Sequence, residues 1–174
     1  MAGWFPVVTL LVGYVTNSTS DWLTDRRILK REREAREATK RETRLERRTS
    51  FQRQTLLELQ DALLELARTE AEMNLFDMRA YRETGEWHKG RFAPELDERN
   101  RMANARTAVL TSRVRDESIR EMVKKFKDKT TAAMMSTNID ECRAAQFEGT
   151  PIFTGLTERI GEVLREIDED ANHE

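Results

Sequence analysis

Large apolar side chains form two patterns along this chain, separated by a stretch that nearly lacks them. From Trp4 to Val15 they are dense, with Phe5, Val8, Leu10, Leu11 and Val12 among them, and Thr16, Asn17, Ser18, Thr19 and Ser20 then follow in a row. Residues 24–50 hold only Ile28, Leu29 and Leu45 among charged neighbours. From Phe51 a helical period takes over. Leu56, Leu59, Leu63 and Leu66 follow 3-4 spacing, and Leu57, Leu64, Ala67, Ala71 and Met78 widen the apolar face. A face wider than a two-position seam predicts a multi-helix bundle rather than a two-stranded coil.

The first helix breakers after Gly13 are Gly85 and the tract Glu86-Trp-His-Lys-Gly-Arg-Phe-Ala-Pro94, whose aromatics Trp87 and Phe92 are expected to close one end of the bundle. Pro94 suits the first turn of a helix, and Leu96, Ala103, Leu110 and Val114 fall on one face of it. Asp116 is placed to cap the next segment, which carries Ile119, Met122, Val123, Phe126 and Ala133. Thr137 or Asn138, with Asp140 or Glu141, gives another N-terminal signal. Phe147 to Pro151 reads as a loop, with Thr150 as cap and Pro151 at the first helical position. Phe153, Leu156, Ile160, Val163, Leu164 and Ile167 then make a continuous stripe, and Glu166 to Glu174 reads as a frayed acidic tail.

The expected fold is all-α. A membrane-anchor helix (1–23) continues into a charged helical stalk (24–50), followed by an antiparallel bundle of about four helices (51–170) and an acidic tail (171–174). Pairs such as Glu32–Arg36 and Glu37–Arg41 at i,i+4 support the stalk as a solvated helix.

Charge sharpens the reading of the N-terminus. No charged side chain precedes Asp21, whereas residues 26–48 carry eleven Lys and Arg. An apolar start followed by a positive block predicts an anchor whose C-terminal side is cytoplasmic. Trp4 to Trp22 would span about 28 Å as a helix, near the roughly 30 Å of bilayer hydrocarbon. Trp4, Phe5, Leu10, Leu11, Val12 and Trp22 are the expected anchor residues, and Arg26, Arg27, Lys30 and Arg31 would face anionic headgroups. Thr9, Gly13, Thr16, Asn17 and Ser20 share the opposite face. They make either a helix–helix seam in the membrane, joining copies of the chain or a partner, or the wet face of an interfacial helix. A soluble helix packed on a partner is the third reading.

The net charge of −2 and the excess of acid after residue 48 argue against nucleic acid. The run Lys124-Lys125-Phe126-Lys127-Asp128-Lys129 reads as a solvated face. One cysteine, Cys142, excludes an internal disulfide and suits a small buried position. His88 reads as a surface loop residue, and His173 lies in the tail. Glu58, Asp61 and Glu65 share a face without the Glu-x-x-His motifs that a di-metal bundle needs. No phosphate loop, nucleophile elbow or dinucleotide fingerprint is present. The sequence therefore predicts no catalytic residue, no cofactor and no metal.

Three segments, Trp22-Leu-Thr-Asp-Arg-Arg27, Phe51-Gln-Arg-Gln-Thr-Leu-Leu-Glu-Leu-Gln-Asp-Ala-Leu63 and Ser112-Arg-Val-Arg-Asp116, carry a resemblance to uncharacterised bacterial single-pass, membrane-anchored helical and coiled-coil proteins. The resemblance implies the anchor and the architecture and brings no activity with it. The expected role is a membrane-tethered, non-enzymatic interaction or scaffold protein. The alternative is a structural component of a larger assembly, docked through the N-terminal apolar segment.

Overall fold

The computed structural model describes residues 5–88 and 91–172, and the side chains of 30–88 and 91–169. Four helices make up the described residues, with no strand: α1 (Phe5–Thr84), α2 (Pro94–Thr111), α3 (Glu117–Met134) and α4 (Ile139–Asn172). The chain divides into two compact units, residues 1–48 and residues 49–174, with α1 running through both.

In the first unit, nearly every described side chain from Lys30 to Arg48 is exposed. Its helix is laced by i,i+4 pairs, Lys30–Glu34, Glu32–Arg36 and Glu37–Arg41, at 3.8–4.0 Å. All six side chains are more than half exposed, so each pair adds at most a few tenths of a kcal/mol.

The second unit is built around one apolar core. Leu56, Leu59, Ala62, Leu63 and Leu66 of α1 meet Ala103 and Leu110 of α2, Val114 of the following turn, Ile119, Val123 and Phe126 of α3, and Leu156 and Ile160 of α4. Each buried Leu, Ile or Phe contributes roughly 1.5–3 kcal/mol, and this burial, not helix propensity, holds the helices in place. The Phe126 and Phe153 rings, 5.1 Å apart, join α3 to α4.

Local signals set the helix ends. Gly85 takes a left-handed φ of 73° and its N–H returns to the Tyr81 carbonyl at 2.8 Å, closing α1. Pro94 opens α2 behind an extended Ala93. The Asp116 carboxylate accepts the Ile119 N–H at 2.9 Å and caps α3. Asn138 Oδ1 accepts the N–H groups of Asp140 and Glu141 at the start of α4. The Glu141 carboxylate reaches back to the Thr137 N–H and hydroxyl, which hold its pKa below the usual value.

Two expectations about the C-terminal region fail. Residues 147–151 are not a loop, and α4 runs unbroken through Pro151. The acidic end remains helical as far as Asn172. Pro151 lacks the N–H that would bond the Phe147 carbonyl. The surrounding turns add side-chain bonds, Thr150 hydroxyl to the Gln146 carbonyl at 2.9 Å and Thr154 hydroxyl to the Thr150 carbonyl at 3.2 Å. The inward stripe of Cys142, Gly149, Leu156 and Ile160 continues on both sides of the proline. Packing along this stripe outweighs the missing bond.

The N-terminal segment requires a further correction. Residues from Phe5 onward are helical, yet no helix of the described residues is long and apolar enough to cross a membrane. The sequence explains why: the dense apolar run stops at Val15, and five polar residues follow before Asp21. The expected spanning helix is thus not supported.

Candidate functional site

The residues singled out in the N-terminal segment fall largely outside what the structure describes. Trp4 precedes the described residues. Phe5, Thr9, Leu10, Leu11, Val12, Gly13, Thr16, Asn17, Ser20, Trp22, Arg26 and Arg27 all lie on α1, but their side chains are outside the described set. Lys30 and Arg31 are exposed, with Lys30 against Glu34. His173 also lies outside the described residues.

The second unit contains a cavity of about 440 Å³ between α1, α3 and α4. Ala67, Ala71, Leu75 and Met78 of α1 form one wall, Phe126 and Ala133 of α3 another, and Ala145, Gly149 and Phe153 of α4 the third. Small residues make the space. A Cβ added at Gly149 would meet the Lys129 Cβ at 3.5 Å, an ordinary van der Waals contact, so α4 approaches α3 here no more closely than an alanine would allow.

Glu70 lines this apolar wall and is only 7% exposed. Burial pushes its carboxyl from 4.5 up to about 7, and the Thr130 hydrogen bond and the Lys127 charge pull only part of the way back. The other ionisable group on the lining, Lys129, is paired with Glu148 across the α3–α4 seam. The chemistry available is therefore a hydrophobic container with one carboxyl group whose charge changes near neutral pH.

About two turns further along α1, Asp77 is buried as well, at 2% exposure. Its Oδ2 meets His88 Nδ1 at 2.9 Å, and His88 Nε2 meets the Ser136 carbonyl at 3.0 Å. The neighbouring Trp87 donates from Nε1 to the same carbonyl at 3.1 Å. Two residues of the α1–α2 connection thus grip the α3–α4 connection. His88 adopts a positive φ of 57°, a left-handed conformation that histidine enters more readily than bulky or branched residues. His88 is an exposed loop residue, as the sequence reading expected, and is held in place by Asp77 and the Ser136 carbonyl. Trp87 and Phe92 do lie at one end of the bundle, with Tyr81–Trp87 centroids 6.0 Å apart and Phe76–Phe92 centroids 5.5 Å apart.

Cys142 is buried, as its spacing suggested, and burial raises its thiol pKa, away from a reactive thiolate. Glu65 faces outward and is held by Arg99 at 2.8 Å, while Arg99 also reaches Glu72 at 3.1 Å. Glu58 accepts from Gln54. Among the described residues no group of three His, Cys, Asp or Glu side chains is placed to hold a metal ion.

Sequence reasoning missed Glu70 and Asp77, although their signal was present. The 3-4 repeat of Leu56, Leu59, Leu63 and Leu66 continues as Glu70, Met73 and Asp77, which puts two carboxylates in core register. His88 had no such signal, because only the fold brings it to Asp77. The chain matches no protein-family model, no curated protein and no solved structure.

Proposed function

We propose that this chain is a non-enzymatic helical interaction protein, tethered to the cytoplasmic face of a membrane by its N-terminal segment and presenting the 49–174 bundle to a partner or to another copy of itself. The observation that carries the reading is the apolar run from Trp4 to Val15 set directly before eleven basic residues in 26–48. In this reading Trp4, Phe5, Leu10, Leu11, Val12 and Trp22 enter the lipid, and Arg26, Arg27, Lys30 and Arg31 contact anionic headgroups. Thr9, Gly13, Thr16, Asn17 and Ser20 provide the seam at which helices meet. Support for partner binding comes from the bundle surface: Leu57 and Leu64, seven residues apart on α1, are 39% and 45% exposed, and Leu75 beyond them is 53% exposed.

Cell fractionation of the full chain and of a chain lacking residues 1–23 tests the tether. The full chain should sediment with membranes and dissolve only with detergent, and the shortened chain should remain soluble. Recovery of both in the soluble fraction rules the tether out.

The absence of a helix apolar enough to cross a bilayer among the described residues favours a second reading, in which the same segment docks into a multi-protein assembly. Migration of the full chain in a large complex without detergent, lost on deletion of 1–23, selects that reading over the first.

A further inference from the structure

The cavity walled by α1, α3 and α4 has a use that an interaction scaffold does not require. Its volume, about 440 Å³, falls within the range of small-molecule sites, and its walls are alanine, methionine, leucine and phenylalanine side chains. A carboxyl group facing such walls is costly to ionise without a counter-charge. The charges near it are few. From α3 come Lys127, which acts on Glu70 through space, and Lys129, already engaged by Glu148. The α4 lining offers only Gln146 and Thr150, and the α1 lining adds Asn74, all uncharged. We propose that this cavity binds a small amphiphilic amine, its ammonium group paired with the Glu70 carboxylate and its hydrocarbon body against Ala67, Ala71, Phe126 and Phe153.

Charge complementarity selects this class. A fatty carboxylate would set a second anion beside Glu70, whereas a neutral alcohol would leave the carboxylate without a counter-ion. The raised pKa of Glu70 shows that Lys127 leaves the carboxylate under-compensated, so an incoming cation gains from the site. Binding then draws the Glu70 proton off, and affinity falls as the pH drops through about 7. Attachment through residues 1–23 plays no part in it, so this site and the tether can fail separately.

Isothermal titration of the full chain at about pH 8 with n-octylammonium, n-octanol and n-octanoate tests the assignment. Octylammonium should bind at least about tenfold more tightly than octanol, and octanoate more weakly than either. Glu70→Gln should abolish the ammonium advantage while leaving octanol affinity unchanged. Ala71→Trp, which fills the mouth from an exposed position, should weaken both. If Glu70→Gln fails to fold, Ala71→Trp and the loss of the ammonium advantage at about pH 5 still decide the matter. Equal affinity for octanoate and octylammonium overturns the proposal. So does binding that survives Ala71→Trp, which would place the amphiphile elsewhere, or no binding of any of the three.

Discussion

Two carboxylates sit where the 3-4 repeat of α1 calls for leucine, and each has a different means of being tolerated. Glu70 stays partly protonated at neutral pH. Its folded pKa of about 7 lies above the ordinary value of 4.5, so the folded state holds more protons than the unfolded state between those values. Stability from this group is therefore complete below about pH 4.5 and is lost as the pH rises through about 7. The difference amounts to something on the order of 3 kcal/mol at high pH. Glu70→Gln should raise the melting temperature at about pH 8 and change it little at about pH 4.5, as measured by thermal melts across that range. A stability loss at pH 8 would contradict the buried, uncompensated carboxylate. Asp77 instead keeps a partner, His88, though its Oδ1 has none. The ring bridges Asp77 and the Ser136 carbonyl through its two nitrogens. His88→Ala should cost roughly 2 kcal/mol in urea unfolding, because a buried carboxylate loses its last side-chain partner. In an Asp77→Asn background the same change should cost much less. Additive effects in that cycle would mean that the two side chains do not act together.

At the level of the elements, the sequence disclosed most of the bundle because most of its boundaries are set by local chemistry. Gly85, Pro94, Asp116 and Asn138 each act within a few residues of their own position, and each can be read without tertiary information. Asp116 does more than cap. Burial raises its pKa, but the Ile119 N–H and Arg159, 2.8 Å away on α4, outweigh that and bring it below the usual value. Asp116→Ala should lower stability by about 1–2 kcal/mol, and Asp116→Asn, which keeps a capping oxygen, by less. Pro151 was misread because a proline preceded by Thr and Gly is a strong local sign of a helix start. The inward stripe of α4 wins here, and that stripe has value only once α1 and α3 are packed against it. The two readings make opposite predictions for Pro151→Ala. In a continuous helix the change restores an N–H for the Phe147 carbonyl and should stabilise by about 1–3 kcal/mol. At the first position of a separate helix it would be neutral or harmful. Denaturant midpoints of the two proteins distinguish these outcomes directly.

Across the whole chain, the division into two units follows from where large apolar residues lie, and this was readable from the sequence: sparse before residue 50, periodic after it. The cavity was not readable, because its lining residues follow ordinary helical spacing on α1, α3 and α4, and nothing in that spacing tells a packed face from one that leaves a space until the three helices are brought together. The units also differ in what unfolding would expose. From Lys30 to Arg48 the side chains are nearly all in water already, held by exposed ion pairs and by the Thr39 and Thr43 hydroxyls on carbonyls one turn back. Residues 49–174 contain the whole of the described core. The slope of denaturant unfolding scales with surface newly exposed, so residues 30–48 should add little to it. A fragment of residues 49–174 should therefore unfold in one cooperative transition, with the slope and midpoint of the second unit in the full chain. Its midpoint should also be insensitive to salt over the range that melts i,i+4 pairs on a solvated helix. A fragment with a markedly smaller slope would show that buried surface in the bundle depends on the residues before Thr49, and the core described by Leu56 to Ile160 would then be incomplete without them.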